Sequence, residues 1–289
     1  MPRGIDHIVH AVRDLDAAAE LYRRAGFTVG ARNRHPWGTH NRIVQFPGAF
    51  VELISVGEPE LIQPSAVRVF SFGGFTRDFL ARGEGLSMLV LEGKGAAADV
   101  AAFEKAGIGR FDRFDFEREA KRVDGSTAKV AFSLALATDP MAPEIGYFTC
   151  QQHYPENFWN PAFQTHRNGV AGIAGVTMVA DNPADHAAFF RAFSGVDDLK
   201  SNSNGIAIKT PRGDIQVMDS TAYRQHFAAE PPDPARGARL AAVRFASPDK
   251  VALMSALEEG GIAFIEHMGN LIIPSEAAHG ATLIFETVK

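Results

Sequence analysis

An acidic residue stands inside an otherwise apolar stretch, "FVELISV", which runs from Phe50 to Val56. Side chains alternate across a strand, so Val51 and Leu53 are predicted to pack against a helix while Glu52 faces the opposite side. A carboxylate is costly to bury among apolar groups unless it is paired or bound to a cation. Glu52 is therefore a candidate metal ligand.

A histidine stands in a comparable place in the first strand-like stretch, "GIDHIVHAV". By alternation His7 shares a face with Val9, while His10 falls on the helix-facing side and is predicted to be structural. Imidazole and carboxylate ligands together suit Zn, Fe, Mn, Ni or Co. His7 and Glu52 therefore predict a site for one divalent metal ion.

Four similar units must position these residues. Each unit has a short strand, an amphipathic helix and further strand-like sequence, and the units open at "GIDHIVHAV", "GLSMLVLEG", "AGVTMVAD" and "LAAVRFAS". The pattern predicts an α+β fold of four βαβββ modules in two paired halves. The Pro- and aromatic-rich stretch "YPENFWNPAFQTHRNG" is typical of a linker. It predicts an N-terminal paired-module domain at 1–160, which carries the metal site, and a C-terminal one at 161–289.

The segments "GIDHIVHAVRDLDAAAELYRRAGFTV" and "RHPWGTHNRIVQFPGAFVELISV", with the four-unit plan, resemble the vicinal oxygen chelate superfamily, in particular its glyoxalase-like branch. The resemblance implies a curled mixed sheet around a cavity in each half, with helices outside. It also implies a divalent metal held by the first and last strands of paired modules, with His7 at the first-strand position. Glyoxalases, epimerases, extradiol dioxygenases, fosfomycin-modifying enzymes and metal-free drug-binding proteins share this plan, so the fold does not select the reaction.

A third metal ligand is expected from the second module. Its first strand places Met88 at the position of His7, and methionine is a poor ligand for a hard cation. In its last strand, "YFTCQQH", Phe148 and Cys150 share one face and are predicted to pack against the helix. Gln151 and His153 then face the cavity, which makes His153 the predicted third ligand. The same alternation argues against a catalytic pair of Cys150 and His153.

Polar and aromatic side chains in "RHPWGTHNRIVQF" are predicted to border the cavity. Trp37, His40, Asn41 and Gln45, together with Gln151, are candidate substrate-binding residues, because such groups can fix a carbonyl or hydroxyl of a substrate. Turn formation explains the first four equally well. Residues 159–168 of the linker could either close over the opening or form turns that lead into the third unit.

The second half lacks the predicted ligands. Gly175 stands at the position of His7 in the third unit, and Ala242 at about that position in the fourth. Gln216 replaces Glu52 in the third unit. A second metal site is therefore not expected, and the second half is predicted to be structural or to shape access to the first cavity.

The amino-acid composition limits which classes of partner the protein is expected to bind. The chain has 289 residues, 46% of them hydrophobic, and a net charge of -5, which offers no basic face for nucleic acid. No apolar run approaches a membrane span of about 20 residues. The single cysteine agrees with a reducing compartment, and we expect a cytoplasmic protein that binds a small-molecule substrate, with a homodimer allowed.

These observations favour a metal-dependent glyoxalase-like enzyme of lyase or isomerase type. Its substrate would chelate the metal through vicinal oxygens, and the metal would act as a Lewis acid while Glu52 moves a proton. An extradiol-type dioxygenase is the first alternative, because two histidines and a carboxylate also suit ferrous iron. A metal-free binding or resistance protein is the second.

Overall fold

The first half of the chain forms an eight-stranded mixed sheet. The computed structural model describes residues 1–121 and 127–287. Strand order is β2-β3-β4-β1-β5-β8-β7-β6, so each module contributes four neighbouring strands and the modules meet at the antiparallel pair of β1 and β5. The strands are β1 (Ile5–Ala11), β2 (Asn33–Arg34), β3 (Thr39–Phe46), β4 (Ala49–Val56), β5 (Gly85–Glu92), β6 (Phe114–Lys121), β7 (Thr127–Ala137) and β8 (Gly146–Gln152).

The second half repeats this arrangement. Its order, β10-β11-β12-β9-β13-β16-β15-β14, places the strands of the third and fourth modules as in the first sheet. These strands are β9 (Gly172–Val179), β10 (Lys200–Asn202), β11 (Gly205–Lys209), β12 (Asp214–Met218), β13 (Arg239–Ser247), β14 (Ile265–His267), β15 (Asn270–Ile273) and β16 (Thr282–Thr287). The predicted α+β fold of four βαβββ modules in two paired halves is confirmed, whereas the boundary at residue 160 stays a prediction.

Helices connect and cover the sheets. They are α1 (Leu15–Arg24), α2 (Phe72–Arg82), α3 (Ala96–Lys105), α4 (Pro155–Phe158), α5 (Ala187–Ser194), α6 (Ser220–Phe227) and α7 (Lys250–Glu259). Single 3₁₀ turns lie at Pro59–Leu61, Pro161–Phe163, Pro183–His186 and Ser275–Ala277. Among the described residues, no helix is long and apolar enough to cross a membrane.

Helix α1 shows how local sequence sets these elements. The Asp14 carboxylate accepts hydrogen bonds from the backbone N–H groups of Asp16 and Ala17, which satisfies donors at the helix start. Gly26 has a φ of 88°, a conformation that favours glycine, just after the last turn. Tyr22 lies fully buried on the face of α1 that packs on the sheet.

One hydrophobic cluster joins the two halves. It contains the helix-facing side chains of both sheets, so α1, α3, α5 and α7 lie away from the concave faces and within the shared core. Phe27 illustrates the junction, because its ring centroid lies 5.0 Å from that of Phe245 and 6.0 Å from that of Phe285. The convex faces are thus buried between the halves, and the concave faces remain for binding.

The two concave faces differ. On the second sheet, α6 packs Tyr223 and Phe227 against the strands, in a cluster opposite to the shared core. Beside it the guanidinium of Arg244 forms ion pairs with Asp214 and with Glu286. The Arg244 side chain occupies the space that a side chain at Gly175 would need. A binding site like that of the first half therefore has no room at this position.

We expect Gly175→Ala to lower the free energy of unfolding by about 2 kcal/mol, the range of overpacking in a filled core. A Cβ at this position would meet both the Arg244 guanidinium and the backbone carbonyl of Asp214, and the carbonyl cannot rotate away. Gly172→Ala on the same strand is the matched control, because nothing lies within 4 Å of its Cβ position. Denaturant unfolding of both variants gives the comparison, and equal stabilities would contradict it.

Stability should also fall in acid because of His10. Burial lowers the pKa of this histidine from 6.5 to about 4, although a hydrogen bond to the His279 carbonyl, at 2.9 Å, opposes the shift. The folded state keeps His10 neutral where the unfolded chain binds a proton, so stability is lost as pH falls from 6.5 towards 4. One such group contributes at most about 1.4 kcal/mol per pH unit.

Denaturant midpoints measured between pH 7.5 and pH 4.5 test this expectation, with His10→Gln as the variant that cannot titrate. The native protein should show the steeper decline over this range. An equal decline in both proteins would assign the pH dependence to other groups.

Candidate functional site

A cavity opens on the concave face of the first sheet. About 90 Å³ of it admits the centre of a water-sized sphere, several times the roughly 10–15 Å³ that a single water molecule requires. Helix α2 contributes Phe72 to its wall, and the linker contributes Phe158 at the end of α4. The remaining lining residues are His7, His35, Trp37, Asn41, Ile43, Phe50, Glu52, Ile54, Met88, Phe116, Arg118, Phe132, Leu134, Phe148 and Cys150.

His7 faces this cavity from β1, as its alternation predicted. Its Nδ1 lies 2.5 Å from Oδ1 of Asp6, and its ring stacks on Phe50 with centroids 4.2 Å apart. Gln152 also donates a hydrogen bond to Asp6, at 3.2 Å. In the tautomer whose Nδ1–H donates to the Asp6 carboxylate, Nε2 of the neutral ring carries the lone pair and faces the cavity.

Glu52 faces the same cavity from β4. Asn41 donates a hydrogen bond of 2.5 Å from Nδ2 to Oε1 of this carboxylate. Oε2 lies 4.0 Å from Nε2 of His7, and Oε1 lies 3.9 Å from Nε2 of His35. The carboxylate is only 12% exposed, and the hydrogen bond from Asn41 offsets part of the cost of its burial.

His35 is a member of the site that the sequence analysis did not select. Its Nδ1 lies 2.8 Å from Oγ1 of Thr39, and its ring stacks on Trp37 at 4.6 Å between centroids. Burial lowers the pKa of His35, and the nearby Glu52 charge opposes this only in part. The ring is therefore neutral at pH 7, and its Nε2 lies 3.3 Å from the Asn41 amide nitrogen, placed to accept a hydrogen bond.

These donors fit a divalent cation in kind. Two neutral imidazoles and a carboxylate are common ligands of Zn, Fe, Mn, Ni and Co, and each imidazole is held at Nδ1 as ligating histidines usually are. The N to O separations of 3.9 and 4.0 Å exceed the roughly 3.0–3.4 Å expected between ligands of one ion. Within residues 1–121 and 127–287, no three His, Cys, Asp or Glu side chains have the spacing of a formed metal site.

The second module adds apolar groups to the cavity. In the first module His7 of β1 lies opposite Phe50 of β4. In the second module Met88 of β5 lies opposite Gly146 of β8. This register places Met88 at the position of His7, and Phe148 at the position of Glu52. The first module therefore supplies the histidines, the amide and the acid of the cavity, and the second supplies apolar groups apart from Arg118.

The predicted facing of β8 is wrong. Phe148 and Cys150 line the cavity, and burial raises the pKa of the Cys150 thiol well above its ordinary value. On the opposite face Thr149 donates a hydrogen bond of 2.9 Å to Asp99 of α3. Gln151 is not in the cavity, because its Oε1 accepts a hydrogen bond of 3.0 Å from the first backbone N–H of α3. Both faces of β8 are covered, so apolar character does not mark the helix side.

His153 lies beyond the end of β8 and is exposed. Its Nε2 is 2.8 Å from Oγ of Ser133, and its backbone N–H donates to the carbonyl of Ala131. The prediction that His153 faces the cavity with His7 and Glu52 is wrong, because the one-residue difference in facing turns this end of the strand to the other side. His35 takes the third place around Glu52.

The other predicted binding residues divide into two groups. Trp37 and Asn41 line the cavity. His40 points to the other face of β3, where its Nε2 lies 3.1 Å from Glu58. Gln45 shares the face of Asn41 but holds the linker instead, donating to the Phe158 carbonyl at 2.9 Å and accepting from the Asn160 N–H. Gln45 thereby helps to position Phe158 over the cavity.

Linker residues beyond α4 serve the junction of the halves. His166 lies between the Thr28 N–H and the Gln45 carbonyl, and the Asn168 amide donates to the Ala25 carbonyl. Both are buried. Of the linker, Phe158 lines the cavity, whereas these two polar residues fasten the chain to the first module.

Because Cys150 of β8 faces the cavity and Gln151 faces helix α3, substitutions at these two positions should have different effects. Gln151→Ala should lower the free energy of unfolding by about 1 kcal/mol, as the loss of a helix-start hydrogen bond does, and leave ligand binding in the cavity unchanged. Cys150→Phe should instead weaken binding, because the larger side chain fills the cavity. Unfolding curves and titrations with a small ligand on both variants test this. Loss of binding in Gln151→Ala but not in Cys150→Phe would contradict this facing and would support the one predicted from sequence.

Comparisons with known proteins agree with this architecture. A family model described as "Glyoxalase-like domain" matches residues 5–193. A search of curated proteins finds no match. Among solved structures, a hypothetical protein from Staphylococcus aureus superimposes with a TM-score of 0.67 and 14% identity, over 99% of this chain and 100% of that one.

Two further structures share the fold. One is a triple mutant of 4-hydroxymandelate synthase from Streptomyces coelicolor, with a TM-score of 0.59 and 10% identity over 98% of this chain and 91% of that one. The other is a xylose isomerase-like TIM barrel/4-hydroxyphenylpyruvate dioxygenase fusion protein, with a TM-score of 0.52 and 15% identity over 92% of this chain and 40% of that one. Since the family match covers more than half of the chain, the protein belongs to the glyoxalase-like domain family of the vicinal oxygen chelate superfamily.

Proposed function

We propose that this protein is a metal-dependent enzyme of glyoxalase type, with lyase or isomerase chemistry on a small oxygenated substrate. One observation carries the proposal. Nε2 of His7, Nε2 of His35 and the Glu52 carboxylate lie together in a cavity of suitable size, and each imidazole is held at Nδ1, by Asp6 and by Thr39. Family membership agrees with this proposal and does not specify the reaction.

His7, Glu52 and His35 would hold the metal. When bound, a divalent ion supplies Lewis-acid polarisation of the substrate oxygens. His35 replaces His153 in the originally predicted set, because His153 is exposed and bonded to Ser133. Asp6 and Thr39 are positioning residues that keep both Nε2 lone pairs directed at the cavity.

Glu52 would also move the proton. Asn41 occupies Oε1, so Oε2 would be the oxygen that binds the metal and, once released from it, accepts a proton from the substrate. The apolar wall formed by Met88 and Phe148 excludes water on the other side of the cavity, which strengthens electrostatic interactions at Glu52. Phe158, held by Gln45, covers the cavity from the linker side.

A dioxygenase is the second candidate. Two histidines and one carboxylate with open positions are a typical ligand set for ferrous iron. Two of the structures of the same fold are named for 4-hydroxymandelate synthase and for a 4-hydroxyphenylpyruvate dioxygenase fusion. The identity of the bound metal separates this candidate from the first.

A metal-free binding protein is the third candidate. The hydrogen bond from Asn41 already offsets part of the cost of burying the Glu52 carboxylate, without a metal ion. The positions equivalent to His7 and Glu52 in the second module are the apolar Met88 and Phe148. Failure to take up any metal on reconstitution would favour this function.

Metal content tests the proposal without an assay of activity. The native protein should bind close to one equivalent of a divalent metal, and His7→Ala or Glu52→Gln should lower metal affinity by about a hundredfold or more, because each removes a direct ligand. His35→Ala should weaken it similarly. His153→Ala is the matched control and should bind metal as the native protein does.

Elemental analysis after reconstitution and dialysis gives the readout. Iron in the protein as purified would favour oxygenation, and zinc, nickel, cobalt or manganese would favour isomerase or lyase chemistry. Full metal occupancy in His7→Ala would contradict the proposed site. Equal loss in His153→Ala and His35→Ala would contradict the assignment of His35.

A further inference from the structure

Arg118 brings a positive charge into the cavity, and the proposed metal site does not use it. It lies on β6, where Phe116 and Arg118 line the cavity while Glu117 and Glu119 face solvent. Glu117 pairs with Lys129 on that exposed side, so the acidic neighbours of Arg118 in sequence point away from it. A charged side chain on the apolar face of a strand is as unusual as Glu52 on β4.

The guanidinium is weakly partnered. It donates a long hydrogen bond, 3.3 Å, to the backbone carbonyl of Glu119 and, among the described residues, forms no ion pair. Burial lowers the pKa of Arg118, and the charge of Glu52 opposes this without direct contact. Glu52 itself is engaged by Asn41 at 2.5 Å. Arg118 therefore retains N–H donors for an anion that enters the cavity.

A second unpaired donor lies near Arg118. Nε1 of Trp37 is buried and has no hydrogen-bond partner within the described part of the chain. Its ring packs against Phe116, with centroids 4.9 Å apart, and Phe116 is two residues before Arg118 on the same face. A buried N–H without an acceptor costs free energy.

The aromatic residues of the cavity indicate what kind of ligand framework it would bind. Rings of Phe50, Phe72 and Phe132 line it with those of Phe148 and Phe158. Such walls favour a flat ring, because aromatic pairs gain from stacked and edge-to-face contacts beyond the burial of area. The cavity has room for more than a single water molecule, because about 90 Å³ of it admits the centre of a water-sized sphere.

We propose that the ligand of this cavity is a small aromatic carboxylate, whose acidic group pairs with Arg118 and whose ring lies among the phenylalanines. The proposal rests on the proposed function in taking this cavity as the substrate site. It deepens that function by assigning the substrate class, an aromatic acid with further oxygens toward His7 and Glu52. Arg118 is then the residue that determines specificity for an anion.

Titration calorimetry with benzoate and its neutral analogue benzamide tests the assignment. The native protein should bind benzoate about tenfold more tightly than benzamide, since a charge-assisted hydrogen bond contributes about that factor. Arg118→Gln should remove this preference, because benzoate loses the charge of the guanidinium and benzamide loses at most a neutral hydrogen bond. Arg113→Gln is the matched control, because Arg113 precedes the same strand but is exposed and paired with Asp115.

Cyclohexanecarboxylate has the same charge without an aromatic ring. It should bind several-fold more weakly than benzoate, because it lacks the ring contacts. The proposal would be overturned if the native protein bound benzoate and benzamide equally, or if it did not bind benzoate at millimolar concentration. Both measurements use the native protein, so they hold even if Arg118→Gln does not fold.

Metal content measured on the same samples separates this proposal from the proposed function. A full metal complement with no loss of benzoate preference in Arg118→Gln would overturn the assignment of Arg118 alone. Absence of metal with an Arg118-dependent preference for benzoate would contradict the metal-dependent function and support the anion site. Equal binding of benzoate and cyclohexanecarboxylate would overturn the aromatic part of the substrate class.

Discussion

The burial of the Glu52 carboxylate among apolar side chains is the constraint on which the site depends. A desolvated charge must be offset by hydrogen bonds or by opposite charge. Asn41 supplies the hydrogen bond, and His7 and His35 place their Nε2 atoms about 4 Å from the carboxylate oxygens. Asp6 and Thr39 then orient the two rings from behind. The polar residues of the first module thus form one network around a single acid.

The second half has the same architecture, but the residues equivalent to His7 and Glu52 are not potential metal ligands of the same kind. Gly175 stands where His7 does, and the Arg244 guanidinium fills the vacant space and pairs with Asp214 and Glu286. Helix α6 packs Tyr223 on the same face. Arg244 is thus paired with two carboxylates of the same sheet and fills the space in which a ligand would lie. The repeat conserves strand order while one concave face is open and the other is filled.

Within the first half the cavity is asymmetric. The first module contributes the histidines and the acid, whereas the second contributes Met88, Phe148 and the rings of its long hairpin. Arg118 is the exception, a cation carried by the apolar module. This division would orient a ligand that has oxygens at one end, an acidic group and an apolar ring. Because the linker places Phe158 over the same cavity, the connection between the halves also shapes the site.

Much of the fold and part of the site followed from sequence pattern alone. The repeated strand and helix periodicity predicted four modules, and alternation correctly placed His7, Glu52 and Asn41 on the cavity side and His10 on the helix side. The alternation in "FDFEREAK" would have placed Arg118 on the same face as Phe114 and Phe116, so its position in the cavity was also predictable from sequence. The facing of β8 was decided only by tertiary structure, because both of its faces are buried and its polar residues are satisfied by α3. His35 lies outside any long strand, so only the folded loop beside β3 could bring it to Glu52.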